Sequence, residues 1–242
     1  MTILEFDGVC KTLRRRGPDH VVLDDVSFLV EEGRLVGILG APGSGKSMLL
    51  RIAAGQAVPD AGSVRFTGRD LYAMKVRHRD ELLVDSIGWA RYLKPPAGFG
   101  ILSEFLAFSA PPKVERRCVR HEVAALLEAV GLAELAGASW RGLTAAEQRR
   151  AGLAHALIRR PRLVLADDPL LGSDVFHREQ LQTLLRRYAD QHGIAVLMAT
   201  SDAVDLLGCD ELMMLSDGSI LRPSPRTSAE VIDFPRRESR SA

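Results

Sequence analysis

The chain has 242 residues, of which 46% are hydrophobic and 26% charged, a composition typical of one large globular domain or one domain with a sizeable insertion. Lys and Arg total 32 against 31 for Asp and Glu, so the formal charge of +1 argues against nucleic acid as a partner. No run approaches the roughly 20 apolar residues of a membrane span, and the N-terminal residues lack a secretory pattern, so we expect a soluble cytosolic protein.

Apolar segments alternate with helical patterns along the chain. The predicted strands, in chain order, cover residues 3–9, 21–30, 34–40, 63–66, 86–89, 163–166, 194–199, 211–215 and 219–221. Helices are predicted at 48–54, from about 145, and at 175–191. Strands that alternate with helices predict an α/β fold with a mostly parallel sheet.

The stretch from about 94 to 142 has a different character. Its apolar residues recur at helical spacing, and prolines divide it into separate segments. We predict a helical insertion there, inside a domain of residues 1–222. The remaining residues, 223–242, are rich in Arg, Ser and Pro and are predicted to form a mobile tail.

Residues 40–47 match the phosphate-loop pattern G-x-x-x-x-G-K-[ST], after a predicted buried strand and before a helix. Glycines let backbone N–H groups turn toward phosphate oxygens, and the helix presents its positive end to them. Lys46 is expected to reach the β and γ phosphates, and the Ser47 hydroxyl to bind Mg²⁺. A glycine-rich turn that binds nothing is the alternative, which the strand-and-helix context disfavours. The predicted nucleotide-binding residues of the loop are Gly40, Ala41, Pro42, Gly43, Ser44, Gly45, Lys46 and Ser47.

A second acidic site follows the strand at 163–166. The strand ends in Asp167 and Asp168, and a carboxylate at that end of a parallel strand would lie beside the Mg²⁺ of the phosphate loop. Asp167 is the predicted metal ligand, and Asp168 is expected to face the attacking water. If the two aspartates stood alone, a simple acidic turn would be the commoner explanation. Because the chain also has a phosphate loop, a metal and catalytic site is the stronger interpretation.

Residues 143–150 read Leu-Thr-Ala-Ala-Glu-Gln-Arg-Arg and precede the acidic strand. With this segment the chain resembles the ABC-transporter ATPase family, in which a leucine-serine-glycine-glycine signature, a helix and the acidic strand follow in this order and spacing. The resemblance covers nearly the whole chain and looks closest to the lipoprotein-release, macrolide-export and cell-division subgroup. It implies a P-loop NTPase core of RecA-like type with an antiparallel β subdomain and the helical insertion, and it implies ATP and Mg²⁺ as ligands.

The chain departs from the family pattern at several functional positions. The family's adenine-stacking aromatic aligns with Leu13, and the family glutamine after the strand at 86–89 aligns with Tyr92. In the signature, the serine aligns with Thr144 and the two glycines align with Ala145 and Ala146. The catalytic glutamate aligns with Asp168, and the switch histidine aligns with Ser201. Leucine packs on adenine without a π face. An alanine strains any backbone position that has positive φ.

The catalytic positions are the most altered. Asp168 withdraws its carboxylate by roughly 1.5 Å relative to a glutamate, and Ser201 offers no imidazole to orient water. Lys46, Ser47 and Asp167, the predicted phosphate and metal ligands, are kept. The chain is therefore expected to bind ATP but to hydrolyse it slowly or not at all.

The resemblance also implies partners. Family members close as dimers with each ATP between one phosphate loop and the other subunit's signature, and they move transmembrane permease subunits through a groove beside the helical insertion. Residues 92–108 would line that groove, with Phe99 and Phe105 as docking candidates, although packing inside the insertion is equally open for Phe105. A heterodimer with an intact second ATP-binding subunit is favoured over a homodimer with two weakened sites. The implied location is the inner face of the cell membrane, peripheral and through partner subunits.

Three functions remain in competition. The first is a transporter engine subunit, and the second is a nucleotide-gated regulatory or mechanotransmitting subunit that acts on a membrane partner without transport. The third, a small-molecule kinase, would not need the segment 143–150. None of the six histidines has metal-ligand spacing, and we interpret them as surface or packing residues.

Overall fold

The computed structural model describes residues 1–14, 19–90, 100–111 and 115–222. Within these ranges the strands are β1 (Thr2–Leu13), β2 (His20–Glu31), β3 (Leu35–Leu39), β4 (Ala61–Phe66), β5 (Arg69–Asp70), β6 (Ile87–Ala90), β7 (Leu163–Asp167), β8 (Ala195–Thr200), β9 (Glu211–Ser216) and β10 (Ser219–Leu221). The helices are α1 (Lys46–Ala53), α2 (Val76–Ser86), α3 (Leu102–Ser109), α4 (Arg116–Ala129), α5 (Ala145–Leu157) and α6 (Val175–His192). Short 3₁₀ turns cover Ala133–Leu135, Trp140–Gly142 and Ala203–Leu206.

A six-stranded sheet in the order β10-β9-β3-β8-β7-β6 forms the centre of the molecule. The β9–β10 pair is antiparallel and the other pairs are parallel, which confirms the predicted α/β class. Strand β8 is buried along its whole length because the sheet is covered on both faces. The carboxyl ends of β3 and β7 lie at the same edge of the sheet, on either side of β8.

A second, antiparallel sheet has the order β2-β1-β4-β5. The β1–β2 hairpin pairs from Thr2 opposite Glu31 to Leu13 opposite His20. Phe6 and Phe28 stack across it at a ring separation of 4.8 Å. Its apolar residues share one core with α1 and one face of the parallel sheet. The predicted antiparallel β subdomain is therefore present.

The other face of the parallel sheet packs on α3, α4, α5 and α6. Neighbouring residues of β7 alternate between the two cores, since Val164 belongs to this helical core and Leu165 to the core of the antiparallel sheet. The segment that the sequence assigns to a helical insertion contains α3 and α4. Tyr92, Phe99 and the predicted tail 223–242 lie outside the described residues.

Phe105 is a core residue. Its side chain is 6% exposed, lies edge-on to Trp140 at 5.5 Å, and stacks on His155 at 5.1 Å. Of the two roles open for Phe105, packing inside the helical region is the one that the structure supports, and docking to a partner is ruled out by its burial.

Helix α2 and strand β5 are absent from the sequence prediction. Of the α2 residues only Leu83 is buried, so the helix lacks the apolar period that would have indicated it. Charged side chains stabilise it instead, including the Arg77–Glu81 pair at 2.9 Å. Strand β5 has two residues, too few for a pattern. In the described parts of the chain, no helix has the length and apolar character needed to cross a bilayer.

His155 makes stability depend on acidity. Burial, with a smaller contribution from the charge of Arg159, lowers the pKa of His155 to about 4, against 6.5 for an ordinary histidine. The folded state therefore favours the neutral ring, and this stability is present above pH 6.5 and is lost as the pH falls toward about 4. Between pH 7 and pH 4, we expect the free energy of unfolding measured with urea to fall in the wild type by on the order of 3 kcal/mol more than in His155→Phe. Equal losses in the two proteins would refute this role of His155.

Candidate nucleotide-binding site

The loop 40–47 connects β3 to α1 and has the backbone that a phosphate-binding loop requires. Gly43 and Gly45 have φ of +84° and +106°. A Cβ on Gly45 would lie 2.6 Å from the carbonyl oxygen of Val22, so that position needs glycine for two reasons. The loop is held to the sheet by a hydrogen bond of 3.1 Å from the Gly40 N–H to the Thr200 carbonyl.

Lys46 is buried in this loop, with 6% of the residue exposed. Its Nζ donates to the carbonyl oxygens of Gly40 at 2.6 Å and Ala41 at 3.0 Å. Helix α1 starts at Lys46 with no side-chain cap and no acidic residue in its first turn. The N–H groups and the positive end of the helix dipole are thus left for an anion, beside a fixed ammonium group.

Asp167 ends β7 next to the start of α1. Burial raises the pKa of Asp167, a hydrogen bond with the Ser47 side chain opposes that rise, and the negative charge of Asp168 adds to it. A partly desolvated carboxylate bound to a hydroxyl is a donor set that suits Mg²⁺. Ser47 and Asp167, the predicted metal ligands, therefore lie together and fit the ion.

Asp168 follows at φ +44°, a left-handed conformation that aspartate tolerates better than most residues. Its Oδ1 accepts a hydrogen bond of 3.1 Å from the Ser201 N–H. One of its two carboxylate oxygens is thus engaged with the backbone of the segment after β8. The two predicted catalytic positions, Asp168 and Ser201, are in direct contact.

Sequence reasoning missed the network that holds this segment. The Thr200 hydroxyl donates to the buried Asp205 at 2.8 Å, and Arg178 of α6 pairs with Asp202 at 2.8 Å and Asp205 at 3.2 Å. Burial raises the pKa of Asp205, while the Thr200 bond and the Arg178 charge lower it. The only signal in the sequence was the repeated aspartate after β8, which is common in exposed turns.

A cleft of about 660 Å³ opens beside the phosphate loop. It is lined by the start of β2, the loop, the segment after β8 and the β9–β10 turn: His20, Val21, Val22, Leu39, Gly40, Ala41, Pro42, Gly43, Ser44, Ser201, Ala203, Met214, Leu215, Ser216, Asp217 and Gly218. Leu13 is half-buried and packs against the core of the antiparallel sheet, and it does not line the cleft. Its predicted contact with adenine stays a prediction.

The segment 143–150 begins α5. Thr144 caps the helix by accepting from the Glu147 N–H at 3.3 Å, and Glu147 accepts from the Thr144 N–H at 2.7 Å. Ala145 and Ala146 are the first two helical residues and do not have positive φ, so the backbone strain expected of alanine there does not arise. None of these residues lines the cleft.

Gln148 and Arg150 anchor α5, and the sequence gives no role for Gln148. The arginine pair at 149–150 predicts a solvated helical face, which is wrong for Arg150, because only 8% of that residue is exposed. The Gln148 Nε2 donates to the Trp140 and Leu143 carbonyls at 3.2 and 2.9 Å, which shapes the chain just before the helix. Arg150 donates to the Gly131 carbonyl at 3.1 Å and so ties α5 to the end of α4. Such long-range contacts of polar side chains leave no period in the sequence.

A parallel sheet with a lysine-bearing phosphate loop after β3 and an acidic pair after β7 defines a phosphate-loop nucleotide-binding protein. The sequence model of the ABC transporter family matches residues 23–171. The chain belongs to the ABC transporter family.

Curated relatives agree with this assignment, and a solved structure has the same fold. The sulfate/thiosulfate import ATP-binding protein CysA 2 of Chromobacterium violaceum is 31% identical over 92% of this chain and 59% of its own length. The aliphatic sulfonates import ATP-binding protein SsuB 1 of Xanthomonas axonopodis pv. citri is 34% identical over 91% of this chain and 84% of its own. The dimeric structure of MJ0796, a bacterial ABC transporter cassette, has the same fold, with a TM-score of 0.83 and 24% identity over 91% of this chain and 97% of that one. The chain thus spans about three fifths of the first of these relatives.

Proposed function

We propose that this chain is the ATP-binding subunit of an ABC transporter and that it binds Mg-ATP through the loop 40–47. The observation that carries the proposal is the buried Lys46, whose ammonium group is fixed by two carbonyl oxygens at the uncapped start of α1. A buried cation in that position is costly unless an anion or fixed dipoles compensate its charge. A triphosphate supplies such an anion, and the neighbouring cleft has room for the nucleoside.

Ser47 and Asp167 would hold the Mg²⁺. The ion, when bound, neutralises phosphate charge and orients the triphosphate. The chain's own contribution is to keep the Asp167 carboxylate beside the Ser47 hydroxyl, where the hydrogen bond between them already lowers the pKa of Asp167 against the effect of burial. Deprotonation of Asp167 would be required for tight binding of the metal.

Hydrolysis by this chain is proposed to be slow. The short side chain of Asp168 accepts a hydrogen bond from the Ser201 N–H. Ser201 lines the cleft and has no imidazole, which the resemblance implies for this position. The bond to the Ser201 N–H restrains a side chain that is already one methylene shorter than glutamate, and a displacement of about 1 Å from the reacting water is costly for catalysis. Asp168 and Ser201 are therefore proposed as weakened catalytic positions.

A second ATP-binding subunit is proposed as a partner. Thr144 and Ala145 are exposed at the start of α5, where the family contacts the nucleotide of the opposite subunit. The Thr144–Glu147 cap places a carboxylate at that helix end, which would repel a phosphate. We propose a heterodimer, in which the partner's signature completes the site at Lys46.

Transmembrane permease subunits are proposed to dock in a groove of about 790 Å³ between the core and the helical region. Val84 of α2 and Phe108 of α3 line it and are 63% and 71% exposed. Of the residues 92–108 predicted to line the groove, 92–99 lie outside the described part of the chain, and Phe108 is among the lining residues. Such docking would hold the chain at the cytoplasmic face of the membrane.

The altered positions Asp168 and Ser201 favour a second candidate, a nucleotide-gated regulatory or mechanotransmitting subunit without transport. The two functions share every residue of the site and differ in the membrane partner. A neighbouring gene for a permease with many membrane spans would support transport. A neighbouring gene for a protein with few spans and a large outer domain would support regulation, or membership of the lipoprotein-release, macrolide-export and cell-division subgroup. The two curated relatives named above are import ATP-binding proteins, which favours transport.

Isothermal calorimetry of the purified chain with Mg-ATP, followed by a steady-state turnover assay, tests the proposal. We expect saturable heat with a one-to-one stoichiometry and turnover far below one per second, the typical lower range for enzymes. Absence of heat from a folded chain, both alone and beside its cognate second subunit, would refute nucleotide binding. Turnover near one per second would refute slow hydrolysis and leave binding intact.

A further inference from the structure

We infer that the first half of α4 carries a basic face that binds the anionic phospholipid headgroups of the membrane. The basic face consists of four exposed residues: Arg116, Arg117, Arg120 and His121. Partner subunits are already proposed to hold the chain at the membrane, and the basic face adds a direct contact between the chain and the lipid. The inference rests on that proposed function for the orientation of the chain.

The four residues lie together on one side of the helix. Arg116 and Arg120 are one turn apart, as are Arg117 and His121, so the two rows are neighbours. Another side of α4 packs in the helical core through four apolar residues: Val119, Val123, Leu126 and Leu127. Within the described parts of the chain, no acidic side chain forms an ion pair with any residue of the basic face.

The stability of the helix does not explain the basic face. The positive end of the helix dipole lies at the start of α4, where acidic side chains stabilise a helix and basic ones destabilise it. The first turn has no acidic residue, and Glu115, the N-cap residue, makes no side-chain cap bond. Like charges one turn apart, such as Arg116 and Arg120, also repel each other. An anion outside the chain would compensate these unfavourable terms.

Further arginines extend the positive charge toward α6. A cavity of about 380 Å³ between α4 and α6 has His121, Arg160 and Arg187 among its lining residues. Arg160 pairs with Glu122 at 2.9 Å, whereas Arg187 is exposed and forms no ion pair with the residues that the structure describes. Because the whole chain has a formal charge of only +1, this concentration of cations is a local feature.

The basic face lies next to the groove that is proposed to receive the permease subunits. Arg159 lines that groove and donates to the Ser109 carbonyl at 3.2 Å, and the next residue, Arg160, pairs with Glu122 of α4. A membrane-spanning subunit seated in the groove would bring the lipid surface close to this side of the chain. Clusters of basic side chains beside a membrane bind anionic lipids by electrostatic attraction. An open helix surface with several separate cations matches a plane of phosphate groups.

Vesicle flotation of the purified full chain, at increasing lipid concentration and without nucleotide or partner subunits, tests the inference. Vesicles of phosphatidylcholine are compared with vesicles that also contain phosphatidylglycerol. We expect the wild type to bind the anionic vesicles alone, and to be released by about 0.5 M NaCl because salt screens the attraction. Arg117→Gln combined with Arg120→Gln should weaken binding to the anionic vesicles on the order of tenfold or more.

A second double variant is the matched control. Arg69→Gln combined with Lys75→Gln removes the same charge from exposed positions outside α4 and its cavity, and should bind within about twofold of the wild type. Glutamine is a good helix former, so the melting temperature of the α4 variant should not fall.

The outcomes are distinct from those of the nucleotide experiment. A wild type that binds neither kind of vesicle, or both equally, overturns the inference, and a face that serves an acidic protein segment would give the first of these results. Equal losses in the two double variants also overturn it, because attraction would then follow net charge alone. Normal heat with Mg-ATP from a chain that ignores vesicles leaves the proposed function intact. Vesicle binding by a chain that gives no heat refutes nucleotide binding alone.

Discussion

Replacing Lys46 with alanine is expected to weaken Mg-ATP binding on the order of a hundredfold or more. The ammonium group is buried and fixed by the Gly40 and Ala41 carbonyls, so its charge would act on the phosphates with little screening by water. Removing one member of a buried, hydrogen-bonded charge pair costs about 2–5 kcal/mol, and each 1.4 kcal/mol is tenfold in affinity. Calorimetric titration of both proteins with Mg-ATP measures the difference.

The loss must be separated from a loss of fold. Lys75→Ala removes an exposed lysine just before α2 and should leave both affinity and melting temperature as they are. Lys46→Met keeps the length of the apolar stem and controls for packing, and it should lose affinity as Lys46→Ala does. Unchanged Mg-ATP affinity in a well-folded Lys46→Ala protein would contradict the phosphate-loop assignment.

The double change Asp168→Glu with Ser201→His is expected to raise ATP turnover on the order of a hundredfold over the wild type. The longer side chain extends the carboxylate past the Ser201 N–H, and the imidazole supplies a group that orients water in the cleft. Each single change should give less, because base and orienting group act on the same water. Glutamate at φ +44° will cost about 1 kcal/mol of stability.

Two variants control this experiment. Asp168→Asn removes the carboxylate charge. A protein that combines Asp168→Asn with Ser201→His should hydrolyse ATP at the wild-type rate. Ser201→Asn adds a polar side chain without an imidazole and should not raise turnover. If the double variant binds Mg-ATP normally and turns over no faster than the wild type, the cause of slow hydrolysis lies elsewhere, with the capped start of α5 as the next region to alter.

The central architecture could be predicted from sequence because burial imposes it. Strands β3, β7 and β8 are covered on both faces and appear as continuous apolar runs, and the phosphate loop must follow the first of them. Helix α2 could not be predicted in the same way. It presents mostly charged residues to water, and only Leu83 inserts into the core.

The placement of Lys46, Ser47 and Asp167 near one another was predictable, because phosphate-loop chemistry fixes residue type and spacing. The site was not predictable where contacts join distant segments. The bond between Asp168 and the Ser201 N–H depends on how β7 and β8 pair. The exposure of His20 beside a half-buried Leu13 depends on hairpin register and on which residue of the pair faces the core. Neither leaves a local pattern.

Besides its proposed contact with phosphate, Lys46 stabilises the loop, because its ammonium group donates to two carbonyl oxygens of the loop's own backbone. A loop already shaped without its ligand needs little rearrangement to accept one, which favours fast association. The same contacts make the lysine part of the architecture. Replacing the family's glutamate and histidine by Asp168 and Ser201 therefore leaves these loop contacts in place, whereas replacing Lys46 would remove both of them.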